Sequence, residues 1–418
     1  MSAARHEMHE FSKTRQHVDS PEGNLFTGSR VLWSALIAFT AFTLYPCSAA
    51  DTIRVPTKKK GAGALFRIRR GDKWGYMSRN GNTVIPAQFE EVGDFFGGLS
   101  RVEKNGKWGY VDERGRPVIP YRFESAGDFR ERLAPVQVER KWGFIDPTGN
   151  FVVRPRFQGV SEFSDGLAQI DVWDAIQCGR DSYSKENAPL YAFRLLDTLP
   201  MMTPACFSED ARYGYIDSRG NVIIPPSFVL AGNFSEGLSP VRGERSSKYG
   251  YIDKTGKMVI QPRFDQAFSF SEGLAAVEVG FEAEDGKKTG GKWGFIDQRG
   301  SFVVQPTFEL VRAYSEGVAE VSVDSISWGY IDKRGVFVIP PKYSQTSCFS
   351  EGMALVWSDE EDNGYYIDKV GKRALTLRLR TQWPFVGGLT IAGDEGELKY
   401  VDRTGKIVAP FESHPQGR

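Results

Sequence analysis

Histidine is missing from the body of this chain. His6, His9, His17 and His414 are the only four, and none lies between residues 18 and 413. That excludes every mechanism needing an imidazole there as a base or metal ligand. Net charge is missing too: 53 basic side chains balance 53 acidic ones, so no overall basic field draws in nucleic acid or an anionic membrane. Cysteine is scarce, four in 418 residues, and no CxxC or HExxH pattern provides a conventional zinc site. No phosphate-binding or dinucleotide fingerprint lies between a strand and a helix. We therefore expect no metal, no cofactor and no nucleic-acid partner. Punctuation, by contrast, is abundant. Glycine (45) and proline (22) together make up about one residue in six, which favours short strands and turns over long helices. With 40% hydrophobic and 25% charged residues, the chain carries enough apolar side chains to fold.

Residues Val31–Tyr45 form an uncharged apolar run, VLWSALIAFTAFTLY. Arg30 precedes it and Pro46 follows it. Ser48-Ala49-Ala50 then places small residues at −3 and −1 of a cut before Asp51. This is the pattern of a secretory signal, and the run is short against the roughly 20 apolar residues of a spanning helix. Residues 1–50 are read as an N-terminal extension with signal peptide and 51–63 as a linker. The expected location is secreted, periplasmic or cell-envelope, with no stable membrane span after cleavage. An uncleaved anchor at 31–45 is the alternative. The thirty residues ahead of the run are long for such a leader, which makes Met8 a later candidate start. Cys47 raises a lipoprotein, but Leu44-Tyr45-Pro46 matches poorly the small residues such a cysteine follows.

The rest of the chain is one segment written nine times. Its clearest line is Lys-Trp-Gly-Tyr, as at Lys73–Tyr76 and Lys107–Tyr110, or with Phe at Lys141–Phe144 and Lys292–Phe295. It is varied at Arg212–Tyr215, Lys248–Tyr251 and Ser327–Tyr330 and decayed at Gly364 and Leu398. An acid closes eight copies: Asp112, Asp146, Asp217, Asp253, Asp297, Asp332, Asp368 and Asp402, with Ser78 in the first. Their spacings of 34, 34, 71, 36, 44, 35, 36 and 34 are one period near 35 with two insertions, the mark of a solenoid, propeller or array.

Each copy holds three short runs of β-branched and aromatic residues, read as strands. Run A is Leu-x-x-Val, run B the Trp-Gly segment and run C Val-Ile-Pro, which is expected to end at its proline. Asp-x-x-Gly joins B to C as a hairpin, the aspartate bonding backbone two residues on. A second turn, Phe-Ser-Glu-Gly-Leu, leads into the next A, as at Phe234–Leu238 and Phe270–Leu274. The fold class is all-β: about nine three-stranded units over 64–411, with a tail at 412–418. An open twisted solenoid is expected, and a closed or nearly closed propeller-like ring is the alternative. The tryptophans are read as core.

In these motifs the chain resembles the WG-repeat (KWG) family. Residues 248–277, KYGYIDKTGKMVIQPRFDQAFSFSEGLAAV, follow that family's line closely, and the resemblance covers nearly all of 64–411. It implies an all-β repeat protein, often exported in bacteria and mostly of unknown function. It brings no catalytic residues.

Two stretches break the period. The first, about 173–211, is unique. It holds Cys178 and Cys206, read as a candidate disulfide of an exported protein. It also holds an apolar patch, Leu190, Tyr191, Phe193, Leu195 and Leu196, read as candidate partner-binding residues. The second, Phe281–Gly290, reads as a mobile charged loop. Cys348 is left over, a small buried residue. The recurring acids Asp165, Glu236, Glu272, Glu316 and Glu351 stand once per unit, as a structural device does. The expected function is therefore non-catalytic: an exported scaffold presenting an extended β surface to a protein or envelope polymer. A hydrolase using carboxylates near the unique insertion is the alternative. N-terminal sequencing of the exported chain should begin at Asp51; finding residues 31–50 still attached overturns the cleaved signal.

Overall fold

The computed structural model describes residues 64–412 except 173–210, 244–247, 281, 285–286, 362, 378, 380 and 395–396. The leader, the linker and most of the unique insertion lie outside the described residues. All regular structure within them is β-strand and turn. Nine units follow one another at 65–89, 91–123, 125–157, 159–228, 230–264, 266–308, 310–343, 345–375 and 381–412.

The three runs are strands, and A, B and C pair antiparallel in that order. A fourth strand of two residues, not foreseen from the pattern, precedes A. In unit two it is Glu91–Val92, opposite Glu103 and Val102. It begins just after the C strand of the unit before, so the chain steps from the outer edge of one sheet straight to the far edge of the next. Units four and five share one seven-stranded sheet, because Val222–Ala231 runs through both roles and pairs with Leu238–Gly243. The second insertion also differs from the expected loop: Glu282–Glu284 and Lys287–Thr289 form a hairpin between the A and B strands of unit six.

The Trp-Gly signature has a steric cause. In unit three Trp142 pairs with Phe157 and Phe144 with Val153, so Arg154, Pro155 and Arg156 of the C strand arch over the single residue Gly143. A Cβ on Gly143 would stand 2.4 Å from Val153 O and 2.6 Å from Pro155 N. The same collision recurs at Gly75, Gly109, Gly214, Gly250, Gly294 and Gly329. Where the glycine is lost the arch is lost: in unit nine Leu398, Lys399 and Tyr400 pair in straight register with Phe411, Pro410 and Ala409. The proline of run C therefore lies inside its strand, at the arch and on a sheet edge, where its missing N–H costs no ladder bond and discourages edge pairing.

The residue after this glycine, or after Tyr365 in unit eight, forms the joint between units. Tyr76, Tyr110, Phe144, Tyr215, Tyr251, Phe295, Tyr330 and Tyr366 are 0–1% exposed. Each meets the aromatic ring of the next turn, Phe95, Phe129, Phe163, Phe234, Phe270, Tyr314, Phe349 or Phe385, at 4.8–5.2 Å and a steep angle. The tryptophans serve the core less uniformly. Trp142 is buried, while Trp74, Trp108, Trp293 and Trp328 are half-buried, and Arg101 lies over the Trp108 ring.

The ends of the array meet. Phe66 packs against Tyr400 at 5.8 Å and Trp74 against Phe411 at 5.7 Å. Tyr400 Oη donates to Arg67 O at 2.8 Å. Ile68 and Met77 share a core with Leu389, Tyr400 and Ala409. Of the two arrangements left open by the repeat, these contacts are those of the ring.

Gly143→Ala should cost about 2–3 kcal/mol, as overpacking does. Gly106→Ala, at φ 67° with open space around it, should cost about 1 kcal/mol from left-handed backbone strain alone. Equal losses in urea melts would remove the arch as the cause.

Candidate functional site

The B–C turns and the turns before A lie at one end of the units, and both use their acids structurally. In all eight Asp-x-x-Gly copies, the aspartate Oδ1 accepts from the N–H groups two and four residues on. At Asp146, Asp253 and Asp402 the threonine hydroxyl two residues on, and then those backbone bonds, hold the carboxyl below its ordinary range.

The second turn reaches across the joint. Ser235 Oγ donates to Phe270 O at 2.7 Å, and Glu236 accepts from Gly273 N–H at 2.9 Å. Ser164 and Asp165, Ser271 and Glu272, Ser315 and Glu316, and Ser350 and Glu351 repeat this pair of bonds on the turn that follows each. Cations of the B–C turns add ion pairs: Lys254 to Asp165, Lys333 to Glu272, Lys369 to Glu316 and Arg403 to Glu351. Those lysines and Arg403 are nearly half exposed, so each pair is worth about 1 kcal/mol at most. The charge-assisted backbone bonds, about 1.5–3 kcal/mol, are the stronger part of the clasp.

Units two to four lack the clasping cation; Glu113, Pro147 and Ser218 stand at its position. Other ion pairs link units one to four: Arg67–Asp94 at 3.2 Å, Arg101–Asp128 at 2.8 Å and Arg130–Glu162 at 2.9 Å. Burial pushes the Asp128 carboxyl up to about 6 against the pull of Arg101, with Glu162 and Asp94 adding to the rise.

At the opposite end of unit four, the last residues before the unique insertion are Asp171 and Val172. Asp171 sits cross-strand between Gly159 and Tyr213 and is 3% exposed. Among the described residues neither carboxylate oxygen has a well-aligned hydrogen-bond partner. A Cβ on Gly159 would lie 2.7 Å from both oxygens, so only glycine leaves room for this side chain. Burial pushes Asp171 up to about 6; the N–H groups of Gly159 and Asp171, then Lys141, act the other way. Burial also lifts the Tyr213 phenol to about 12, with Asp171 adding to it.

The sequence did not point to Asp171. Glu103, Gln137, Glu278 and Ser322 occupy the same position of their A strands, so a polar residue there is ordinary. Gly159, where other short strands carry Glu91, Ser125, Gln266 or Leu310, is a signal readable only once the pairing is known. Cys178, Cys206, Leu190, Tyr191, Phe193, Leu195 and Leu196 lie outside the described residues. Cys348 is buried with a free thiol, as expected. Among the described residues no group of three or more His, Cys, Asp or Glu side chains could hold a metal ion, and no helix is long and apolar enough to cross a membrane.

The two sets of acids respond oppositely to pH. Asp112, Asp146, Asp217, Asp253, Asp332 and Asp402 have lowered pKa values, so their support is present above the ordinary value near 3.8 and lost on acidification. Asp171 is raised, so between about 4 and 6 the folded state holds the extra proton, and stability falls as pH rises through that window. Asp171→Asn should therefore match wild type near pH 4 and exceed it by about 2–3 kcal/mol at pH 7.5, the worth of a shift of about two units. A constant difference across paired melts would show the carboxyl to be solvated.

No curated protein matches this sequence. Among solved structures, a eukaryotic initiation factor is 12% identical with a TM-score of 0.43, covering 76% of this chain and 88% of that one. BamB of Moraxella catarrhalis is 10% identical, TM-score 0.37, covering 69% and 88%. Apo AztD of Citrobacter koseri is 10% identical, TM-score 0.36, covering 84% and 94%. The WG containing repeat matches seven times, over residues 74–108, 108–142, 142–171, 213–242, 249–280, 293–325 and 328–356. The matched residues exceed half of the sequence, and the chain belongs to the family built from the WG containing repeat.

Proposed function

We propose that this chain is an exported, non-catalytic scaffold that binds a protein or envelope polymer through the A–B end of its units. One observation carries the reading: nearly all the variation in length falls there. Every B–C turn keeps three residues from Asp, or Ser78, to Gly, and every turn before A keeps one length. The A–B connection is 71–72 in unit one, 173–211 in unit four, 280–291 in unit six and 358–364 in unit eight. The opposite end is interlocked through its serines and acids and cannot change length without breaking the clasps. Variable loops on a rigid repeat are where specificity is carried. The recurring acids are engaged in backbone bonds, and the ionisable groups bearing on Asp171 are Lys141 and Tyr213 rather than a second carboxylate. This favours binding over the two-acid hydrolase.

Within this reading Cys178 and Cys206 bond to each other and brace the insertion, and Leu190, Tyr191, Phe193, Leu195 and Leu196 face the partner. Peptide mapping without reductant should find the two cysteines joined; free thiols at both end that claim. Replacing 173–211 with the Asn-Gly turn found at 105–106 should leave the far-ultraviolet circular dichroism intact and abolish capture of the envelope partner. Capture that persists unchanged would move recognition to the repeat surface.

A further inference from the structure

We propose that Asp171 anchors a site for one organic cation, an ammonium or guanidinium group carried by a lysine or arginine of the bound partner. The proposal deepens the assignment of the A–B end as the recognition face and rests on it. A carboxylate 3% exposed with no well-aligned hydrogen bond to either oxygen among the described residues is an unstable arrangement: a buried charge is held only by a counter-charge or by neutralisation. Buried acids elsewhere in the array have what Asp171 lacks. Asp128 has Arg101 at 2.8 Å. Glu320, 1% exposed, has Arg312 at 3.0 Å and the Thr346 hydroxyl at 2.6 Å.

The groups facing Asp171 do not satisfy it. On the short strand, Gly159 offers a backbone N–H and no side chain. On the B strand, Tyr213 stands opposite, its phenol kept protonated by burial. Lys141 of unit three favours the charged form from beyond ion-pair distance. Gly159 is the particular that makes this a built feature: any larger residue would occupy the space of the carboxylate. The approach is from the A–B end, where the next residue, Val172, is 49% exposed and the chain leaves the sheet. A cation of one or two N–H donors on a slim stem matches two acceptor oxygens, whereas a hydrated metal ion would need more oxygen ligands than the described residues supply.

The test uses the full chain labelled with 13C at aspartate and follows the Asp171 carboxyl by NMR at pH 7. Probes are n-butylammonium and ethylguanidinium, with tetramethylammonium as the control lacking N–H donors. A saturable shift with the first two and not the third is expected, together with a fall of the Asp171 midpoint by at least one pH unit. Asp171→Asn should abolish saturable binding and Gly159→Ala should weaken it at least tenfold, while Asp128→Asn leaves it unchanged. A linear response, equal binding by Asp171→Asn, or an Asp171 carboxyl that titrates as an ordinary aspartate without any probe overturns the proposal. Partner capture that is lost on replacing 173–211 but kept in Asp171→Asn would refute this site while leaving the scaffold reading in place.

Discussion

The structure depends on one repeated contact, the edge-to-face aromatic pair at each joint. The ring after the Trp-Gly pair belongs to one sheet and its partner to the turn of the next. Such pairs add about 1 kcal/mol beyond the area they bury, and each occurs at a joint whose surrounding Ile, Val and Phe side chains are also buried. A single unit has nothing to cover that ring, so stability is shared between neighbours. The rest of the signature follows. Where the outer strand arches over it, the residue before the ring must be glycine. Where the ring is tyrosine, its hydroxyl donates across the joint, as Tyr110 Oη does to Gly127 O at 2.8 Å. Phe66 and Tyr400 supply the ninth joint, and with it the ring.

The polar groups divide the ring into two arcs. From unit four onward a serine, an acid and in most joints a cation clasp successive turns, and Glu131 of unit three already makes the acid's bond, to Gly166. From unit one to unit four the joints carry arginine–carboxylate pairs, of which Arg101–Asp128 is the most buried. A clasp to exposed backbone tolerates solvent and adds little desolvation. A buried pair gains a stronger attraction and pays for it in desolvation, which is why Asp128 is lifted while Asp146, Asp253 and Asp402 are lowered. Both arcs hold the same end of the units, and the other end is thereby left to vary.

That asymmetry links structure to use. An end fixed by hydrogen bonds between neighbours, repeated joint after joint, cannot accept an insertion without losing two joints. The serine and acid clasps do not reach the A–B end, where partly exposed lysine–carboxylate pairs such as Lys73–Glu90 link neighbours, and the connection in unit four grows to 173–211. Asp171 stands at the root of that growth, and it is the buried acid for which neither arc provides a partner.

Much of the fold was legible in the residues. Nine units, the A, B and C strands, the Asp-x-x-Gly turn and the structural use of the recurring acids all rest on local chemistry: period-two strands, backbone-bonding aspartates and glycines with positive φ. The candidate site was hardly legible. Tertiary structure decided that the tyrosine or phenylalanine, more than the tryptophan, is the deep core residue, because the two differ only in what the next unit places against them. It decided that proline lies within its strand, because an arch over glycine is a relation between two strands. It decided the ring, because Tyr400 and Arg67 meet across 333 residues, a separation that no repeat period encodes. And it decided that Asp171, in sequence one polar residue among several at its position, lies buried with neither oxygen well bonded among the described residues, because its environment is set by Gly159 twelve residues before it and Tyr213 beyond the insertion.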